Sequence, residues 1–351
     1  MNLDSLVREN IRQLKPYSSA RSEFEGRAEV YLDANENPFE TGLNRYPDPL
    51  QVELKGEIGH LKKVDPERIF IGNGSDEIID LLIRIFCEPR RDQIVILPPT
   101  YGMYRVSADI ADVGVLEVPL SSSFEPRPEA VLEKAGPNTK VLFLCSPNNP
   151  TGNCFERSRV EHLLSQFPGI VVVDEAYIDF SSAPSLIELL DDYPNLVVMQ
   201  TFSKAWGLAG LRLGMAFTSK ESVGLLNKVK PPYNINRLSQ QAALNALQDR
   251  EKVEKRVRTI LGQRAVLVQY LTGLNFVEKI YPSETNFVLV KVSAPDHLYD
   301  YLVDRGIVVR NRSKVQLCAG CIRITVGRPE ENERLFQELL DYRAPKNAET
   351  T

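Results

Sequence analysis

The chain has 351 residues, with 42 Lys+Arg against 47 Asp+Glu, a net charge of -5 and 43% hydrophobic residues. That length predicts one large domain plus a smaller one around a substantial core, and the charge balance excludes a broad basic surface for nucleic acid. His60, His162 and His297 stand far apart without ligand-like neighbours, so no metal site or His-based triad is expected. Five cysteines argue against a disulfide framework and for a reducing, cytoplasmic compartment. Cys318 and Cys321 form a single CxxC, expected to be a pair of buried small residues.

In chain order, "MNLDSLVRENIRQLKPY" carries charges every few residues and no continuous apolar stretch, so it reads as neither a signal peptide nor an anchor. No run elsewhere approaches a membrane span, and neither membrane nor nucleic acid is expected as a partner. Residues 1–40 are punctuated by Pro and Gly and are expected to form an arm packed on a neighbour, either the small domain or another subunit. Between about residues 67 and 217, short apolar runs alternate with helical patterns. The runs are "RIFIG" (68–72), "QIVILPP" (93–99), "GVLEVPL" (114–120), "KVLFLCSP" (140–147), "GIVVVDEAY" (169–177), "NLVVMQTF" (195–202) and "RLGMAFT" (212–218). Several lack strict alternation, as strands buried on both faces do. Helix candidates such as "SDEIIDLLIRIF" (75–86) and "SRVEHLLSQF" (158–167) lie between them. The alternation predicts an α/β architecture, a mostly parallel seven-stranded sheet flanked by helices. After "KPPYN" (230–234) the pattern is helical for about forty residues, and strands "TNFVLVKV" (285–292), "GIVVRNR" (306–312) and "CIRITVG" (321–327) follow. The expected division is an arm (1–40), a large α/β domain (41–260) and a small C-terminal α+β domain (261–351), joined by a long helix.

Four stretches carry chemistry. "IGNGSDE" (71–77) is a strand entering a helix through a Gly-rich turn, with Ser75 expected as N-cap and Asp76 and Glu77 favoured by the positive helix end. Backbone N–H groups of Gly74, Ser75 and Asp76 could equally bind an anion, provided the acidic side chains point away. GxGxxG is not completed and no GK[ST] follows, so neither a dinucleotide fingerprint nor a P-loop is supported. "CSPNNPTG" (145–152) has turn chemistry throughout, yet lies at the carboxyl end of a strand, where open α/β sheets bind ligands. There Asn149 offers a side-chain amide. "VVVDEAY" (171–177) ends a deeply apolar strand in Asp174, whose burial is costly without a cationic or protonated partner. Tyr177 can point its hydroxyl into the same cavity.

The fourth stretch, "TFSKAWGLAGLRLG" (201–214), sets Lys204 among small and apolar residues. Thr201, Ser203 and Arg212 form a phosphate-binding set. A lysine held near apolar groups and another cation has a lowered pKa and serves as an amine nucleophile. Asn149, Asp174, Tyr177 and Lys204 together suit pyridoxal 5'-phosphate. The carboxylate pairs with the ring nitrogen, Lys204 joins the aldehyde, and Asn149 and Tyr177 bind the ring oxygen. Tyr101, in "PPTYGMY", is placed to stack on the pyridine face.

The run "SPNNPTG … DEAY … SKAWGLAGLRLG" resembles the fold-type I pyridoxal-phosphate aminotransferases. With "ENIRQLKPYSSAR", "LDANENPF", "LNRYPDP", "GNGSDE", "PPTYGMY", "SETNFVLV" and "CIRITVG", the chain is more similar still to the class II histidinol-phosphate aminotransferase family. The resemblance implies a homodimer with the active site at the subunit interface. It implies that Lys204 is the Schiff-base lysine, that Asp174 meets the pyridinium, and that Asn149 and Tyr177 meet the ring oxygen. Ser203, Arg212 and backbone amides near Ser75 and Asp76 would hold the cofactor phosphate, with Tyr46 reaching in from the other subunit. Arg323 would bind the amino acid carboxylate and Arg310 a substrate phosphate, with Tyr17 and Asn286 near the substrate. Thr201 fits a position where relatives carry Thr or Ser, and Trp206 occupies a variable aromatic position expected to reshape the pocket. The implied reaction passes an amino group from histidinol phosphate to 2-oxoglutarate in histidine biosynthesis.

Arg310 and Arg323, thirteen residues apart, are the basis for a doubly anionic substrate. Arg310 can also be read as a surface charge on a strand edge, with Arg312 nearby. A decarboxylase of a phosphorylated amino acid would want the same cofactor and both arginines, and an aromatic-amino-acid aminotransferase only the cofactor. A cofactor-binding regulator without turnover is a further alternative, but no basic appendage supports it.

Overall fold

The computed structural model describes residues 3–17 and 28–345. Residues 18–27 of the expected arm lie outside the described residues. Two sheets are built from β1 (Ile69–Asn73), β2 (Gln93–Ile96), β3 (Gly114–Glu117), β4 (Thr139–Cys145), β5 (Ile170–Asp174), β6 (Leu196–Thr201), β7 (Leu213–Phe217), β8 (Val277–Ile280), β9 (Phe287–Val292), β10 (Arg310–Asn311) and β11 (Cys321–Thr325).

The first sheet has the order β1-β7-β6-β5-β4-β2-β3. Strands β6, β5, β4, β2 and β3 run parallel, and β7 is antiparallel to both β1 and β6. The missing alternation now has its cause. Val171 and Val173 of β5 pack with Leu196 and Val198 of β6 in one core, while Ile170 and Val172 pack with Val197 and Met199 in the core on the other face. A sheet covered on both sides needs an apolar residue at each position, and each fully buried Val, Ile or Leu contributes about 1.5–3 kcal/mol. Helix Ser75–Phe86 covers one face through Ile78, Ile79, Leu82 and Phe86.

Three sequence expectations change. Leu3, Val7 and Ile11, spaced four apart, pack into the same core as helix Ser75–Phe86. Arg8 N–H donates to Ile85 O at 3.0 Å and its Nε pairs with Glu88 at 3.0 Å. The start of the chain therefore packs on the large α/β body of its own chain rather than on the small domain. The helix N-cap is Gly74, with φ +76°, and Ser75 is the first helical residue. The strand expected over 306–312 is reduced to Arg310–Asn311. Gly306 N–H and Ile307 N–H bond back to Val303 O and Leu302 O, which spends those residues on closing helix Pro295–Val303.

The second sheet is antiparallel, in the order β10-β11-β9-β8. One face buries Val288, Val290, Ile322 and Ile324 against Leu298 and Leu302 of helix Pro295–Val303 and Leu335 and Leu339 of helix Pro329–Asp341. The other sends Phe287 and Leu289 into the first body's core together with Cys318 and Cys321, which are fully buried and free, as their composition suggested. Helix Arg250–Thr272 runs 23 residues from one body to the other and docks Leu267 and Leu271 on the second sheet. Among the described residues no helix is long and apolar enough to cross a membrane.

Candidate active site

Strands β4, β5 and β6 end side by side, with Cys145 opposite Asp174 and Asp174 opposite Met199. Their carboxyl ends open into a cavity of about 750 Å³. Its lining brings together Ser75, Asp76, Tyr101, Asn149, Asp174, Tyr177, Thr201, Ser203, Lys204, Arg212, Arg310 and Arg323. Tyr17, Tyr46 and Asn286 do not line it. Tyr17 is 76% exposed, and Tyr46 stacks on Tyr233 at 4.5 Å on the outer surface. Asn286 accepts from Val326 N–H through its backbone carbonyl at 2.8 Å. Trp206 corrects another expectation. It turns inward, buried against Phe202 at 5.3 Å, and leaves the cavity wall untouched.

Asp174 is 4% exposed, and its partner is a phenol rather than a cation. Tyr104 Oη donates to Asp174 Oδ2 at 2.7 Å, and Ala176 N–H donates to Oδ1 at 3.1 Å. Burial pushes the Asp174 pKa up, and the Tyr104 hydroxyl and the Ala176 N–H oppose that rise. Tyr104, itself fully buried and stacked on Phe143 at 4.7 Å, was missed in the sequence. The available signal was helical spacing, since Tyr104, Ser107 and Ala108 are the buried face of helix Met103–Ile110.

Lys204 is exposed to the open cavity with its ammonium 5.6 Å from the Tyr177 ring centre. Desolvation lowers its pKa, as does Arg323, against the attraction of Asp174; Arg212 adds to the lowering. Burial raises the Tyr177 pKa, so its hydroxyl stays protonated and able to donate.

A cradle lies where β1 gives way to helix Ser75–Phe86. Gly74 N–H bonds Arg212 O at 2.8 Å, and Arg212 takes a left-handed φ of +54° just before β7. A Cβ on Gly214 would stand 2.4 Å from Ser75 N, and one on Gly74 would stand 2.6 Å from Arg212 Nη2. Both glycines keep open a space edged by a helix N-terminus, a guanidinium and the Ser203 hydroxyl, a donor set that fits a phosphate. The acidic side chains do not both point away. Glu77 bends back onto Asn73 N–H and Asn234 Nδ2, but Asp76 faces the cavity, where Tyr101 Oη (3.0 Å) and Arg212 Nη2 (3.3 Å) counter its charge.

Across the cavity, Asn149 Oδ1 accepts from Arg323 Nη1 at 2.5 Å. Arg312 lines the same wall, another residue that sequence reading did not place in the site. A second cleft, of about 790 Å³, lies between helix Arg250–Thr272 and β8. Its cations are engaged, Arg264 on Thr285 O and Lys279 on the Tyr281 ring, so it gathers no comparable chemistry. No cluster among the described residues could hold a metal.

The family model for aminotransferases of class I and II matches residues 28–339. The chain is 53% identical over 345 residues to the histidinol-phosphate aminotransferase of Cytophaga hutchinsonii, covering 97% of this chain and 99% of that one. It is 54% identical over 338 residues to the enzyme of the same name from Parabacteroides distasonis, covering 96% and 98%. Among solved structures it superposes on histidinol-phosphate aminotransferase from Sinorhizobium meliloti in complex with pyridoxal-5'-phosphate, with TM-score 0.77, 26% identity and coverage of 85% and 82%. Sequence, fold and cavity agree, and the chain belongs to the class I and II aminotransferase family.

Proposed function

We propose that the chain is a pyridoxal-phosphate-dependent histidinol-phosphate aminotransferase. It would pass the amino group of L-histidinol phosphate to 2-oxoglutarate, giving imidazole-acetol phosphate and L-glutamate, and act as a homodimer. The observation that carries this reading is the convergence in one cavity of Lys204, a buried carboxylate at Asp174 and a wall of arginines. When bound, pyridoxal 5'-phosphate supplies an aldehyde for the amino group and a ring that accepts electrons.

The chain's own residues do the rest. Asp174 would hold a proton on the ring nitrogen, and Asn149 and Tyr177 would hydrogen-bond the ring oxygen. Ser75, the Asp76 N–H, Ser203 and Arg212 would hold the phosphate, with Thr201 bracing Ser203 at 3.0 Å. Tyr101, on the cavity wall, would flank the ring. Lys204, which lines the cavity beside Asp174 and Tyr177, would be the amine that meets the aldehyde and the base that takes the proton from the substrate Cα. Its lowered pKa supports that role, because only the neutral amine is nucleophilic and basic. Arg310 would meet the substrate phosphate and Arg323 the carboxylate of glutamate, with Tyr17 and Asn286 close to the substrate end. Tyr46 would reach the phosphate in the other subunit's cavity.

The test pairs spectroscopy with product analysis. Wild-type protein should carry a visible cofactor band that Lys204→Ala lacks, and should form glutamate from histidinol phosphate and 2-oxoglutarate. Release of carbon dioxide from a phosphorylated amino acid without amino transfer would overturn the reading in favour of a decarboxylase.

A further inference from the structure

Three guanidiniums share one wall of the cavity. Arg310 and Arg323 stand directly opposite each other in the β10–β11 register. The ladder continues one residue past β10, where Arg312 N–H donates to Cys321 O at 2.8 Å. Side chains alternate along an extended chain, so Arg312 leaves the same face as Arg310. All three line the cavity.

No carboxylate pairs with any of them among the described residues, and the hydrogen-bonding difference within the set is informative. Arg323 gives one N–H to Asn149, whereas Arg312 donates no side-chain hydrogen bond to the protein. The Nε of each is buried without a partner. Burial first, and then the neighbouring Arg323 and Arg310, weaken Arg312's hold on its proton. Such a wall is completed by anions. One carboxylate satisfies the fork of Arg323 beside Asn149. That leaves Arg310 and Arg312, two positive charges with several free donors, which match a doubly ionised phosphate and exceed what a single carboxylate needs.

We propose that Arg312 is a specificity-determining residue that shares a substrate phosphate dianion with Arg310, leaving Arg323 for the carboxylate of the second substrate. This rests on the aminotransferase reading above and adds a residue to it. Phosphate monoesters lose their second proton at a pH of about 6. KM for the phosphorylated amine therefore falls as pH rises through that value, and it falls more steeply with Arg312 than without it.

The test uses holoenzyme, in which the cofactor's own phosphate site is filled. Wild type, Arg312→Gln and Arg312→Lys are assayed with histidinol phosphate and with histidinol, and titrated with inorganic phosphate by calorimetry. In Arg312→Gln the ratio of kcat/KM for histidinol phosphate to that for histidinol should fall about 10- to 100-fold, chiefly through KM. Phosphate binding should weaken alongside, and Arg312→Lys should recover part of both. Equal losses on the two amines, or unchanged phosphate binding, would assign Arg312 a structural role and overturn the proposal. If wild type fails to use histidinol phosphate at all, the aminotransferase reading fails, while the calorimetric comparison still decides whether Arg312 binds phosphate. If Arg312→Gln does not fold, Arg312→Lys decides alone, because loss of the bidentate fork must still weaken phosphate binding.

Discussion

Asp174 is held by two donors and no cation in direct contact, so its charge depends on a small number of bonds. Burial favours the neutral acid, and the Tyr104 hydroxyl at 2.7 Å is the largest influence opposing that. Removing the hydroxyl leaves burial less opposed, so the Asp174 pKa rises and less carboxylate is present at any given pH. A hydrogen bond to a charged group contributes about 1.5–3 kcal/mol, or roughly one to two pH units. In Tyr104→Phe the acidic limb of kcat/KM against pH should therefore move up by about a unit or more, with activity restored as pH rises. An unmoved acidic limb would mean that Tyr104 only fills space. The sequence announced the need at this site without the answer. Three valines before Asp174 predicted a buried acid wanting a partner, but Tyr104 is 70 positions away in sequence and only the folded sheet brings it near. Arg312 was hidden for a different reason. Beside Arg310 it looked like more surface charge, and its direction follows from β-register that composition does not carry.

At the scale of elements, the junction of β1, helix Ser75–Phe86 and β7 shows how close packing makes a binding site. β7 lies between β1 and β6 with Gly214 paired to Gly72 and Thr201. A methyl group at Gly214 would meet backbone atoms of Gly74 and Ser75 at 2.4–2.9 Å, and backbone cannot swing aside as a side chain can. Gly214→Ala should push the helix N-terminus from its place. Expected are a loss of about 1–3 kcal/mol in stability and a cofactor dissociation constant raised by more than about tenfold, in line with overpacking beside aligned donors. Equilibrium unfolding and cofactor titration check the two separately, and unchanged cofactor affinity would sink the link between this contact and the cradle. Elements of this kind were legible: the apolar periodicity at 75–86 coincides with the helix bounds. The cap was not, because Ser75 and Gly74 both satisfy cap chemistry and only the left-handed φ at Gly74 separates them.

At the scale of the molecule, the parallel sheet was readable because strands buried on both faces leave apolar runs without alternation. The arm was only half readable. Its first part carries Leu3, Val7 and Ile11 at helical spacing and folds back on its own chain. The part that follows residue 27 does the opposite. Leu32 is 87% exposed and Phe39 78%, with Val30, Leu43 and Tyr46 also exposed. Yet the segment is tied down. Glu36 accepts from Arg45 Nη1 at 2.7 Å and from Tyr46 N–H at 2.6 Å, and Lys230 Nζ donates to Pro49 O, Pro231 O and Pro232 O. An exposed apolar patch of this kind marks an interaction surface, and in the proposed two-fold homodimer each copy would cover the other. Tyr46 does not line its own chain's cavity, so in the proposed homodimer its contact with cofactor phosphate would be with the other subunit's site. Subunit mixing tests this. Lys204→Ala and Tyr46→Ala proteins should each be impaired as homodimers. In a mixed dimer, one site receives Lys204 from one chain and Tyr46 from the other, and is whole; the second site carries both defects. Random exchange then restores roughly a quarter of wild-type activity for a closed two-fold dimer. If mixing yields no more than the sum of the parents while mixed dimers are demonstrably formed, Tyr46 does not serve the opposite subunit.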